Sequence, residues 1–423
     1  MVGYHNDCDW SVFTKSMKTW QIVPLIFIVG LAITGTYAFQ NGWYTVNDAA
    51  REYQMYLSHL ENGYTKTFAD AEAIGLGLQV RCFFTTLFPA LLQSVLKVDP
   101  LLFYKLYTVV LVSLLPVGIF AVAVQFVDKK WAVIASGLVM GQTAFLQAPS
   151  MARTIIAVTF FAFIIAVLYH FKAKWYVYPI VAGLCTGIVF SHYTTLIVSI
   201  VILGVGLVFM IFNKSVLWRS TMVALVVMIS FGVPWYYKPL THPIAQLVKT
   251  FELQTVETIL ARTKTVNDGD VNKEVAINSN DGDSEDRDKV IQVAFGNPTP
   301  DGDSNFHFNI TLWVLSWLMI VITCLGLALS FIKKLLPKSY IVMGMVCICW
   351  LGLFVIAPYI SRAYGVERLW MNGLVILAPM FVIGLKFLTQ WAKSYQIPIA
   401  LIYILALGVL NYNFGVIWSA LGI

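Results

Sequence analysis

The chain has 423 residues, 59% of them hydrophobic and 12% charged, with a mean hydropathy of +0.76. Soluble domains carry roughly 25% charged residues, so this composition excludes a water-soluble globular protein and predicts an all-α polytopic membrane protein. The net charge of +6 is accounted for by basic cytoplasmic loops and requires no nucleic acid.

Aromatic and sulfur residues fit the same class. The 13 Trp and 20 Tyr suit belts at the two membrane surfaces. Of the six Cys, four fall in apolar runs, where a thiol behaves as a small hydrophobe. Cys347-x-Cys349 lacks the second half of a zinc motif. No disulfide framework and no structural zinc are expected; a divalent metal as cofactor stays open but is not indicated by any motif.

Residues 1–20 are mostly polar and lack a cleavage site after the first apolar run, which predicts a cytoplasmic segment followed by an uncleaved signal anchor. A span needs about 20 apolar residues. The first is predicted at 21–39. A long outer loop, 40–100, follows. Within it WYTVNDAAREYQMY, Trp43 to Tyr56, places Asp48, Arg51 and Glu52 at i, i+3 and i+4, on one face of a helix that Asn47 or Asp48 can cap. The bland reading is a solvated helix start. Further on, FFTTLFPALLQSVLKVD is too short to cross, and lies along the interface or dips in partway before Asp99-Pro100.

Further spans are predicted at 101–127, 131–148, 153–171, 175–191, 194–212 and 219–238. The first transmembrane module is thus 21–238. A soluble segment, 239–308, separates it from a second module, 309–423, with spans at 309–332, 339–360, 369–388 and 396–420. The total is about 11. In the soluble segment, 242–262 reads as an amphipathic helix and the remainder as an acidic loop of Asp-Gly turns. Those turns lack the twelve-residue calcium pattern. Asn309-Ile310-Thr311 is a glycosylation sequon abutting a span.

Lys and Arg set the orientation. With the N-terminus cytoplasmic, every inner segment holds at least two of them, from Lys15 and Lys18 through Lys129 and Lys130 to Lys386 and Lys393. The C-terminus is then outside. On the outer face this leaves Asp48, Arg51, Glu52, Arg81, Arg153, His192, Tyr193, Arg362, Glu367 and Arg368. Arginines there run against the positive bias. Snorkelling to headgroups explains any one of them, but several on one face with carboxylates and a His point to a site. Arg forks bind phosphate in bidentate fashion, and a carboxylate at a membrane surface suits a general base. His192 has the alternative of a structural His hydrogen-bonded at a span end.

The pattern of a first span, an outer loop with an early carboxylate and an interfacial helix resembles the GT-C superfamily of membrane glycosyltransferases. The layout is most similar to a family of uncharacterised archaeal and bacterial multispan proteins with the same arrangement. The pieces that carry the resemblance are Asp48-Ala-Ala-Arg51-Glu52-Tyr53, Arg153 opening a span, Ser191-His192-Tyr193-Thr194-Thr195, and Glu367-Arg368 before Leu377-Ala378-Pro379. It covers most of 20–390.

The resemblance implies transfer of a sugar from a polyprenyl-phosphate-linked donor to a glycan, lipid or protein acceptor on the extracytoplasmic face. The acidic catalytic position falls on Asp48, with Glu52 competing. Arg153, His192 and Arg368 would hold the carrier phosphate or the sugar, with Arg51, Arg81, Tyr193, Arg362 and Glu367 as further binding candidates. Two features depart from the family: there is no adjacent acidic pair in the first loop, and no large soluble C-terminal domain. A lipid-linked-glycan polymerase or ligase, or a transporter of lipid-linked glycans or ions, are the alternatives.

Overall fold

A computed structural model describes residues 18–40, 42, 44, 47–74, 76–171, 174–236, 305–356 and 366–421. The described residues form helices joined by turns and short connections, with no strand. The helices are α1 Thr19–Gln40, α2 Asn47–Ala73, α3 Gly77–Val80, α4 Leu87–Leu96, α5 Pro100–Val112, α6 Leu114–Ala123, α7 Lys129–Met140 and α8 Thr143–Leu146. They continue with α9 Ala152–Phe171, α10 Val177–Val189, α11 Tyr193–Phe212, α12 Trp218–Tyr236, α13 Asn305–Ile332, α14 Lys338–Ile356, α15 Val366–Leu388 and α16 Gln396–Leu421.

Eight helices among the described residues are long and apolar enough to cross a membrane, α5 and α6 counting as one. The chain is therefore an integral membrane protein. Leu25, Ile28, Val29, Phe209, Phe212 and Val226 lie exposed on these helices, as side chains facing hydrocarbon do. Eight of the predicted spans coincide with these helices. Of the other three, 175–191 and 339–360 fall on shorter apolar helices, and 131–148 is divided between α7 and α8.

Two of the three give way at identifiable positions. The predicted 131–148 span breaks after α7, where Gly141 ends the helix and Gln142 is extended (φ −81°, ψ 141°) before α8 begins. The break is held by side chains. Asn411 donates to the Gly141 carbonyl at 2.6 Å, and Thr143 Oγ1 bonds Asn411 Oδ1 at 2.9 Å. Trp370 Nε1 donates to Gln142 Oε1 at 2.9 Å. α10 gives way at Phe190, where Ser191 Oγ turns back to the Gly187 carbonyl. The last part of the predicted 339–360 span lies outside the described residues, as do the amphipathic stretch at 242–262 and the acidic turns.

Asp99 caps α5, its carboxylate accepting from Leu102 N–H at 2.8 Å with Pro100 in the first turn. α5 and α6 meet at Ser113, because Pro116 has no N–H for the Val112 carbonyl. Ser113 Oγ is bonded to Thr34 Oγ1 of α1 at 2.9 Å. Pro379 similarly frees the Val375 carbonyl inside α15, and Tyr340 Oη of α14 donates to it at 3.4 Å. α4 has 10 residues, about 15 Å at 1.5 Å per residue, half of the hydrocarbon thickness. It buries Pro89 and Ala90 and exposes Leu91, Val95 and Leu96.

Two ends of the bundle are defined by contacts. At one, Lys386 meets Asp128 at 3.3 Å, Tyr169 Oη meets Ser339 Oγ at 3.0 Å, and the Phe126 and Tyr340 rings stand 4.3 Å apart. Lys129, Lys130, Lys333, Lys334 and Lys338 flank these residues in the chain. The other end carries the first residues of α9, α11 and α15, with α2 to α4 forming a cap.

Candidate functional site

The cap is built on α2. Its buried residues Ala49, Glu52, Tyr56 and His59 recur every three or four positions and so form one stripe. Tyr56 Oη donates to the Pro100 carbonyl at 3.1 Å. The rings of Tyr53 and Tyr56 stand 5.1 Å and 4.9 Å from that of Tyr104 on α5. This aromatic cluster seats the first half of α2 against the bundle. Gly63 then breaks the helix at φ 74°, a conformation that glycine adopts without steric cost.

Seating α2 in this way delivers Glu52 to Arg153. Glu52 Oε1 lies 3.2 Å from Arg153 Nε. The two residues are 2% and 3% exposed. Arg51, by contrast, is exposed. The helix keeps Asp48, Arg51 and Glu52 at i, i+3 and i+4, but burial separates two of them: Glu52 lies in the buried stripe and Arg51, about 100° away around the axis, at its exposed edge. Asp48 occupies the first turn of α2 in the backbone, while its side chain lies outside the described residues. The same holds for the Glu367 side chain and for the whole of Arg362.

His192 is fully buried and caps α11. The structural hydrogen bond at the span end is present: Nδ1 accepts from Thr195 N–H at 3.4 Å. Thr195 Oγ1 stands 3.0 Å from the same nitrogen, and Thr194 Oγ1 stands 3.1 Å from Nε2. With Nδ1 accepting, the neutral ring is assigned its proton on Nε2. Burial holds the His192 pKa well below the usual value, and the positive charges of Arg153 and Arg368 press it down further. Protonation would place a third cation beside two others, so the ring is neutral at neutral pH.

Arg153, His192 and Arg368 thus come together from three helices, each at its N-terminal end. Arg153 is the second residue of α9, His192 the cap of α11, and Arg368 the third residue of α15. Asn372 Nδ2 donates to the Arg368 carbonyl at 2.8 Å. Helix N-termini present positive dipole ends and unsatisfied N–H groups, which disfavours arginine and favours anions. Among the described side chains, Glu52 brings an anion to this group through Arg153.

Arg81 belongs to a second group. It pairs with Glu72 at 2.5 Å, donates from Nη1 to the Gly77 carbonyl at 2.9 Å, and lies 4.7 Å over the Phe68 ring. Its carbonyl accepts from Trp235 Nε1 at 3.2 Å. Tyr236 joins the groups, since Arg81 and Arg153 both reach it electrostatically. Its hydroxyl donates to the Val189 carbonyl, and its ring stands 5.9 Å from the half-buried Tyr193. Sequence reasoning missed Tyr104, Tyr236, Trp235 and Gln142. No spacing marks them, because their roles come from distant partners, 47 positions away in the Tyr236–Val189 bond and 228 in the Gln142–Trp370 bond.

Among the described residues, no group of three His, Cys, Asp or Glu is arranged to hold a metal ion. No family model and no curated protein matches the chain.

Proposed function

We propose that this chain is a membrane glycosyltransferase of GT-C type, moving a sugar from a polyprenyl-phosphate-linked donor to a glycan, lipid or protein acceptor on the extracytoplasmic face. The observation that carries the reading is the meeting of Arg153, Arg368 and the His192-capped end of α11 beneath a cap held by Glu52. Two guanidinium groups and three helix N-termini suit a phosphate. A neutral His between them adds a hydrogen-bond donor without adding charge.

The three shorter apolar helices, α7 with α8, α10 and α14, complete eleven crossings. The Lys-rich end then faces the cytoplasm, with the N-terminus, and the site faces outward. α4 lies at the outer interface with Leu91, Val95 and Leu96 in the lipid.

In the transfer step, the acceptor oxygen bonds the anomeric carbon of the sugar. The bond from that carbon to the carrier phosphate breaks, and its electron pair leaves with the phosphate. Arg153 and Arg368 stabilise the charge that develops there. The acceptor proton goes to a carboxylate, and Asp48 in the first turn of α2 takes that role because Glu52 is committed to Arg153. A polymerase or ligase of lipid-linked glycans would use the same phosphate site. A transporter reading would draw on the broken α7–α8 helix, but the polar side chains there are bonded to one another.

The test is the thermal stability of the purified protein with a polyprenyl phosphate, a matched neutral polyprenol, and an Arg368→Ala variant. A ligand at a hundred times its Kd stabilises the native state by about 2.7 kcal/mol. The expected result is a shift with the phosphate, none with the alcohol, and loss of the shift in the variant. No shift in a well-folded protein would turn the reading toward transport. In a transfer assay, Asp48→Asn is expected to lower the rate by roughly 10²- to 10⁴-fold with the fold intact. Full activity would remove Asp48 as the base and move that role to Glu52.

A further inference from the structure

The position of Glu52 matters beyond holding the cap. A carboxylate 3.2 Å from Arg153 Nε sits where an incoming anion would seek the same guanidinium. Both partners are nearly solvent-free, so neither water nor salt weakens their attraction much. Several described charged and titratable groups surround Glu52. Arg51 on its own helix is exposed. Arg153 comes from α9, with Arg368 of α15 and neutral His192 of α11 beyond it. From α5, Tyr104 lies within its field. Arg81, following α3, is taken by Glu72. Among the described residues, Glu52 sets one negative charge against the positive charges of Arg153 and Arg368.

We infer that Glu52 is a built-in counter-anion: it occupies Arg153 while the site is empty, and a phosphodiester anion binds by sharing or displacing it. The inference rests on the phosphate reading of the same site and adds to it a restraint on affinity. The carrier must then meet the site with enough further contact, through its chain or its sugar, to overcome Glu52. A bare anion cannot. Glu52 acts through Arg153 and is a positioning residue, not a catalytic one.

A short-chain dialkyl phosphate tests this, since its single charge is constant between about pH 5 and 8 and it mimics the carrier's diester. The matched trialkyl phosphate serves as the uncharged control, and inorganic sulfate as the free-anion arm. Binding is measured to the wild-type chain and to Glu52→Gln. Without ligand the variant is expected to be less stable, because Arg153 loses its partner. The diester is expected to bind the variant at least about tenfold more tightly, equivalent to ~1.4 kcal/mol, and sulfate to gain as well, while the triester gains nothing. A purely structural Glu52 would weaken binding when removed, so equal or weaker binding of the diester overturns the inference. Binding of the diester to wild type without that gain leaves the phosphate reading standing and removes only the counter-anion. Binding to neither chain overturns both. Glu52→Asp, which keeps the charge but draws it back from Arg153, covers the case in which the Gln variant does not fold. It is expected to bind the diester at least about twofold more tightly than wild type, and no gain there would also overturn the inference.

Discussion

Gly384→Val and Gly326→Val are each expected to abolish a stable fold. These glycines lie where α13 and α15 cross. A Cβ on Gly326 would land on the Met380 carbonyl oxygen, and one on Gly384 would land on the Ile322 carbonyl oxygen. Small residues at a membrane helix crossing let backbones touch. Overpacking that side chains can absorb costs about 1–3 kcal/mol, but here the obstacle is backbone and no rotamer change removes it. The helices would have to part. Because Arg368 is carried on α15, the phosphate site would part with them. Thermal melting and size-exclusion profiles in detergent check this, with Gly183→Ala and Gly204→Ala as controls. Neither control Cβ would meet anything within 4 Å, and alanine improves helix propensity by about 1 kcal/mol. A Gly384→Val chain that melts within about 1 °C of wild type would mean that the crossing is not tight, since for a chain of 423 residues a shift of that size corresponds to less than ~1 kcal/mol.

That crossing shows what the sequence could and could not convey. Apolar length alone locates α1, α9, α11 and α15, and Asp99-Pro100 announces the start of α5, because each of these signals is local. Gly326 and Gly384 read as ordinary membrane glycines until the two helices are seen together. The outer-end residues divide the same way. The charge pattern left Arg153, His192 and Arg368 among ten outer-face candidates, and both arginines lie near enough to His192 to lower its pKa. It could not choose between Asp48, Arg51 and Glu52, because the choice depends on Tyr53 and Tyr56 finding Tyr104 and so fixing the rotation of α2. Nor could it foresee that Arg81 would be claimed by Glu72. The break at Gly141–Gln142 was hidden in an apolar run, since Asn411 and Trp370, which hold it, are more than 200 positions away.

Arg153→Leu is the second change expected to act strongly, and it separates stability from binding. Removing one partner of a buried ion pair costs about 3–5 kcal/mol, because the other charge is left without compensation. Here that charge is Glu52, 2% exposed beneath the cap. The variant should melt well below wild type, the cap with it. Glu52→Leu/Arg153→Leu should recover most of the loss, since a buried pair replaced by apolar groups of similar size is often neutral or stabilising. The coupling energy from the four-member cycle measures the pair, and additive single effects would show that Glu52 and Arg153 do not depend on each other. The double variant also shows what the pair is for. If it is stable yet gives no thermal shift with a polyprenyl phosphate, the fold did not need an arginine at 153. The cost of burying one there, at the positive end of a helix, is then explained by the anion it binds.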